Sequence, residues 1–281
     1  MGRSFDSLVD EAAEVSVEGW DFSWLGGRAT EERPSWGYQR LLSERLATAT
    51  AALDIQTGGG EVLAGAGAEN FPPTLVATEG WPPNVAKATA LLHPLGAVVI
   101  ADPEEPPLPF ADDAFDLVTS RHPATVCWSE IARVLAPGGA YFAQHVGGGT
   151  NVEISEYFLG PLESGLGRHH EIEAAQARAA GLEIVQCGNE RLRLEFFDVG
   201  AMVFFLRKVI WTVPDFTVDR YRDRLKDLHD QIERDGVFHS TMSRTLFDVR
   251  KPPRICCDAS ICSRQYASTV LTVSSSVSWK G

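Results

Sequence analysis

Apolar positions along this chain fall into short runs separated by turns rich in glycine, proline and acid. Leu53 and Ile55 read as one face of a buried strand that runs straight into Gly58, Gly59 and Gly60. A helix is expected to start near Glu61, its positive end at the glycine cluster. Apolar runs at residues 74–78, 97–101 and 115–120 read as three further strands, followed by Glu79, by Asp102 and by Arg121-His122. A fifth strand follows Pro137-Gly138-Gly139 and ends at His145, after the amphipathic segment 128–135. Strands alternating with helical segments predict an α/β fold built on a largely parallel sheet.

Beyond residue 150 the pattern changes. A helix-like stretch, 172–180, stops at Gly181 as a C-cap, and residues 182–185 open a sixth strand. Residues 199–211 are apolar apart from Arg207 and Lys208 and too short to cross a membrane. They are expected to wall a substrate pocket, with a homodimer surface as the alternative. Val218, Tyr221, Leu225, Leu228 and Ile232 then recur at spacings of three and four, the apolar stripe of a charged helix ending at Gly236. Residues 1–45 gather Trp20, Phe22, Trp24, Trp36 and Tyr38 among glycines and Pro34, which suits either a lid over a cleft or a segment wrapped on the core. Residues 253–281 are rich in Ser, Thr and Val without helical period, and read as a disordered or non-native extension.

The candidate chemistry sits at the strand ends. Gly58, Gly59 and Gly60 permit positive φ and bring bare backbone N–H groups against a ligand. Glu79 follows about twenty residues later, where α/β nucleotide folds place a carboxylate on ribose hydroxyls. A nicotinamide-binding enzyme shares those features but needs a third small residue to close the turn, and Leu63 stands at that position.

Four segments, LDIQTGGGE, LVATEGW, LPFADDAFDLV and EIARVLAPGGAYF, taken in order, resemble the class I S-adenosylmethionine-dependent methyltransferases, in particular the UbiE-like or type 11 group. The resemblance covers roughly residues 40–150. It implies a Rossmann-like seven-stranded sheet, parallel with an antiparallel last strand (here residues 245–250), helices on both faces, and a methyltransferase domain over residues 46–252. The sixth and seventh strands are close neighbours in such folds, so a helical insertion at 199–236 is a departure. The cofactor implied is S-adenosylmethionine, with the loop Thr57, Gly58, Gly59 and Gly60 around its methionine part and Asp54 and Gln56 as further cofactor-site candidates. Glu79 would take the ribose, Gly80 and Trp81 one face of the adenine and Asp102 the adenine amine, with Pro103 beside it a further cofactor-site candidate; Arg121, read from its own position after the fourth strand, suits the cofactor carboxylate, an anionic acceptor or equally a surface ion pair. The family usually has glycine where this chain has Gln56, a residue expected either to weaken binding or to touch the methionine end itself.

A formal net charge of −13 over 281 residues disfavours general nucleic-acid binding, which depends on clustered cations. No secretory signal or membrane span is evident, so the expected location is the cytoplasm. The five cysteines include no CxxC pair accompanied by histidines at zinc-ligand spacing, so reduced thiols and no metal are expected. A general base is required only if the acceptor loses a proton near the transition state, and His122 and His145 are the candidates. Each has a plainer reading as a loop-bonding histidine, and His169 and His170 are expected to face solvent. No Asn/Asp-Pro-Pro-aromatic stretch follows the fourth strand, which disfavours amide or nucleobase amines. The leading reading is methylation of a small hydroxyl- or amine-bearing molecule. The alternatives are a macromolecule such as RNA, met by Arg220, Arg222, Arg224 and Lys226, or cofactor binding without catalysis.

Overall fold

A computed structural model of the chain describes residues 3–162 and 168–254. In chain order the elements are helix α1 (Phe5–Glu14), strand β1 (Ala29–Glu31), α2 (Tyr38–Leu46), β2 (Ala51–Asp54), α3 (Glu61–Ala64), β3 (Thr74–Glu79), α4 (Pro82–Leu92), β4 (Val98–Ala101), β5 (Phe115–Arg121), α5 (Trp128–Val134), β6 (Leu135–Val146), α6 (Val152–Leu159), α7 (His170–Ala179), β7 (Glu183–Phe196), α8 (Val199–Lys208), α9 (Arg222–Asp235) and β8 (Phe238–Arg250). The strands form one sheet in the order β1-β7-β8-β6-β5-β2-β3-β4. Strands β2 to β6 pair in parallel, β8 runs antiparallel to β6 and β7, and β1 runs antiparallel to β7. The sheet therefore has eight strands rather than seven. The extra one, three residues long, comes from the N-terminal segment and is too short to carry a period of its own.

Side-chain alternation along the strands builds two cores, one on each face. Leu53, Val118, Tyr141, Ala143 and Phe247 pack against α5 and α7, while Ala52, Leu75, Leu117, Phe142 and Leu246 pack against α2, α3 and α4. Tyr38, Leu42 and Leu46 of α2 are buried in the second of these, so the sheet-packed unit already includes α2, ahead of the boundary expected at residue 46. The last 27 residues of the chain, 255–281, lie outside the described part, and with them nearly all of the expected extension.

The β7–β8 pair runs past the end of β6. Val146, the last residue of β6, is opposite Arg244, whereas β8 continues outward to Phe238 paired only with β7. Six residues of overhang correspond to roughly 20 Å of ribbon beyond the carboxyl edge of the parallel strands. On it sits a third core, made by α1, α6, α8, α9 and the outer parts of β7 and β8. Asp198 caps α8 by accepting the Ala201 N–H at 2.8 Å, and the helix is buried on almost every side. Val199 to Leu206 thus form the centre of a cap core rather than the wall of a pocket, which corrects the expectation for that stretch. A helix buried all round reads as continuously apolar, and periodicity cannot show what covers it. Among the described residues no helix is long and apolar enough to cross a membrane.

Candidate functional site

The glycine turn is shaped by contacts to the next strand. Thr57 N–H donates to the Thr78 carbonyl (2.9 Å), and Gly58 N–H donates to Glu79 Oε2 (2.8 Å). Gly58 and Gly60 have φ of +66° and +84°. At Gly60 a Cβ would also come within 2.9 Å of Leu92, so close packing of α3 on α4 adds to the demand for glycine. Glu79 is 4% exposed, and its second oxygen accepts the Trp81 N–H at 2.9 Å. Each carboxylate oxygen retains a lone pair after these bonds.

Asp102 and Glu104 stand beside this turn. Asp102 is 5% exposed, and its Oδ2 is buried without a hydrogen-bond partner; burial raises its pKa. Glu104, at φ +63°, accepts the Gly80 N–H at 3.3 Å, and burial followed by repulsion from Glu79 raises its pKa. A Cβ on Gly80 would lie 2.9 Å from the Asp102 carbonyl, which explains glycine there. Trp81 is 47% exposed at the start of α4, and Pro103 is exposed beside Asp102.

Gln56 holds a left-handed conformation, φ 57°, where the resemblance implies glycine. Its side chain is not free to meet a ligand as it stands. Nε2 donates to the Thr125 carbonyl (2.9 Å) and hydroxyl (3.0 Å), and Oε1 accepts the Ala124 N–H at 2.6 Å. The loop after β5 is thereby clamped to the glycine turn. Beneath it, Asp54 accepts the Thr119 hydroxyl at 2.6 Å; burial pushes its pKa up to about 6 against the pull of that bond. A cleft of about 40 Å³ remains, lined by Gln56, Asp102, Glu104, Ser120, Cys127 and Tyr141 among others.

The two histidines proposed from sequence part company. His122, at φ 57°, places Nε2 2.9 Å from Gln144 Nε2. Gln144 Oε1 already accepts the Trp36 indole N–H at 2.9 Å, so the amide nitrogen faces His122, whose Nε2 must then be the acceptor. Burial, then the nearby Arg121 and Arg244, drive its pKa well below the usual value, and the ring is neutral at pH 7. Arg121 ends β5 next to it. His145 is not at the cleft: it is fully buried, with Nδ1 donating to Glu173 (3.1 Å) and Nε2 accepting the Tyr141 hydroxyl (2.9 Å). Its ring also packs on Phe247 at 4.8 Å. The candidacy of His145 as a base is therefore withdrawn, because one strand position decides whether a side chain points to the cleft or into the core.

Residues the sequence reading missed include Gln144, Thr125 and Glu104. Gln144 lies at a strand end with polar character and was discoverable there; the partners of Thr125 and Glu104 are set by loop conformation, which leaves no periodic signal. Cys127 and Cys187 are free thiols, and Cys256, Cys257 and Cys262 lie outside the described residues.

A sheet of this order, with acidic and glycine-rich turns at its carboxyl edge, defines a Rossmann-like methyltransferase fold. Residues 53–143 match the family model described as the methyltransferase domain. That stretch carries the glycine turn, Glu79 and Asp102, and the match supports the resemblance to the class I S-adenosylmethionine-dependent methyltransferases of the type 11 group. No curated protein matches the chain. Solved structures share its fold at low identity. A candidate methyltransferase of Bacillus halodurans C-125 is 19% identical with a TM-score of 0.54, over 76% of this chain and 98% of that one. A protein of unknown function from Deinococcus radiodurans R1 is 17% identical with a TM-score of 0.53, over 82% and 96%. A phosphoethanolamine N-methyltransferase 2 of Haemonchus contortus, solved with phosphomonomethylethanolamine and S-adenosylhomocysteine, is 17% identical with a TM-score of 0.50, over 90% of this chain and 61% of that one.

Proposed function

We propose that this methyltransferase acts on a small molecule bearing a hydroxyl or amine, held under the cap at the carboxyl ends of β5 and β6. The observation that carries this reading is the enclosure of that edge. Trp36 of the N-terminal segment bonds Gln144 at the end of β6, and Gly19 lies against the Lys87 ammonium on α4. The segment ahead of α2 therefore reaches from the β7–β8 overhang to the far side of the glycine turn, which suits a lid that excludes water. An RNA reading finds less support. Arg222 pairs with Asp6 and lies over Phe5, and Arg224 donates to the Tyr157 carbonyl, so these cations hold the cap together.

The residues present fit S-adenosylmethionine in kind. Glu79 retains acceptor capacity for two ribose hydroxyls, the unpartnered Oδ2 of Asp102 suits the adenine amine, and Trp81 offers an exposed ring. The Gly58–Gly60 turn offers bare backbone to the methionine end, while Gln56 guards it from the side of Thr125. The cofactor supplies a methyl group activated on a sulfonium. The chain's task is to align a nucleophile with it and keep water out, and positioning supplies most of the acceleration. With His145 sequestered and the acceptor Nε2 of His122 already engaged by Gln144, the proposed chemistry uses an acceptor that attacks through its own lone pair and releases its proton late.

The test is formation of S-adenosylhomocysteine with panels of small alcohols and amines, run beside total RNA. Turnover of a small acceptor with weak salt dependence is expected. Turnover of RNA alone, falling steeply with salt, would refute the reading, and tight cofactor binding without any product would point instead to a binding protein.

A further inference from the structure

A second depression, of about 150 Å³, opens at the carboxyl end of β6, lined by Arg168, His169, His170, Asn189, Arg191 and Ser243 together with Gly148. We propose that it is an oxyanion site, binding the carboxylate or phosphate group of the methyl acceptor; its role as an acceptor subsite rests on the function proposed above, whereas the anion site itself does not.

The lining is all cationic or hydrogen-bonding, and among the described residues no carboxylate borders it. In a chain of formal charge −13 such a spot is a local exception, and anions repelled elsewhere are drawn to it. Glu173, one turn into α7, is turned inward to His145 and lies 3.6 Å from the Arg168 Nε. Arg191 makes no ion pair among the described residues, and its planar donor fork suits two oxygens of one ligand. Asn189 Nδ2 and Ser243 Oγ, 3.0 Å apart, bring further polar groups to the same wall.

Position ties the depression to the cleft. Arg168 donates to the Pro123 and Ala124 carbonyls at 2.6 and 2.8 Å, and the same loop is held from the other side by Gln56. One loop thus separates the cation-lined depression from the glycine turn. An acceptor anchored there by its anionic end would extend its nucleophile across residues 123–125 toward the cofactor.

The experiment titrates the full chain, without cofactor, with inorganic phosphate and separately with acetate, following binding by nuclear magnetic resonance. Saturable millimolar binding is expected for at least one of them, and the tighter of the two names the acceptor's group. Arg191→Ala should weaken it at least tenfold and Arg191→Lys less, while Glu79→Ala should leave it unchanged. Arg191 is exposed on its strand, so both variants should fold, as circular dichroism would verify. Binding that is unaltered by Arg191→Ala, or absent for both anions, overturns the site. If S-adenosylmethionine fails to bind while the Arg191-dependent anion binding persists, the methyltransferase reading falls and the site stands.

Discussion

Replacing Gln56 separates two opposing contributions at the turn. An L-residue in the left-handed region costs about 1–2 kcal/mol relative to glycine, of which roughly 0.4–1 kcal/mol is offset because glycine frees the unfolded chain. The side chain returns bonds to the Thr125 carbonyl and hydroxyl and from the Ala124 N–H. These are partly exposed, and at about 0.5–1 kcal/mol each they contribute roughly 2 kcal/mol. Gln56→Ala loses the bonds and keeps the strained φ of 57°, so it should destabilise by about 2 kcal/mol. Gln56→Gly loses the bonds but relieves the strain, so it should cost roughly 1 kcal/mol. Urea unfolding of both variants, compared at equal slope, measures the difference directly. If glycine is as costly as alanine, the backbone at this position is not strained. A neutral Gln56→Ala would show that the clamp on residues 123–125 contributes nothing.

Further outcomes follow from the buried groups. His145→Gln should cost about 2–3 kcal/mol in a urea titration, since Tyr141 and Glu173 lose well-placed partners, while the cofactor affinity of the folded protein stays the same; a selective loss of turnover at unchanged stability would restore His145 to the chemistry. Asp54 has a folded pKa raised to about 6 from 3.8. Its contribution to stability is therefore fully present below pH 4 and lost as pH rises through 6. Asp54→Asn should gain on the wild type across that window by roughly 2–3 kcal/mol, read from unfolding midpoints at pH 4 and pH 8. A difference independent of pH would show that Asp54 is not held in this way.

Much of the fold was legible because a parallel sheet buries both faces of its strands and writes apolar runs between turn signals. Leu53 with Ile55 and the run ending at Glu79 each lie where the pattern places them, as does the helix ending at Gly236, whereas Pro137-Gly138-Gly139 falls inside β6 as an irregularity in its pairing with β5 rather than as a turn ahead of it. The β7–β8 overhang was not legible. Its outer residues pair with each other under a cap, so Leu192, Leu194 and Phe238 are buried by tertiary neighbours that no local pattern announces. At the site, strand-end acids were visible as residue types at the right spacing. The fate of each side chain was not: Gln56 turned to Thr125, and His145 fell on the core face one residue after Gln144.

Calorimetric titration of S-adenosylmethionine into the wild type and into Glu79→Ala asks whether the Glu79 carboxylate clasps the cofactor's ribose. Wild-type binding is expected at tens of micromolar or tighter, in the range of ordinary enzyme substrates. Removing the carboxylate should weaken it severely, since two bonds to a charged acceptor carry roughly 1.5–3 kcal/mol each, and should also lower stability by stripping the Gly58 and Trp81 amides of their partner. Equal affinity in the two proteins, or none in the wild type, would contradict that role for Glu79.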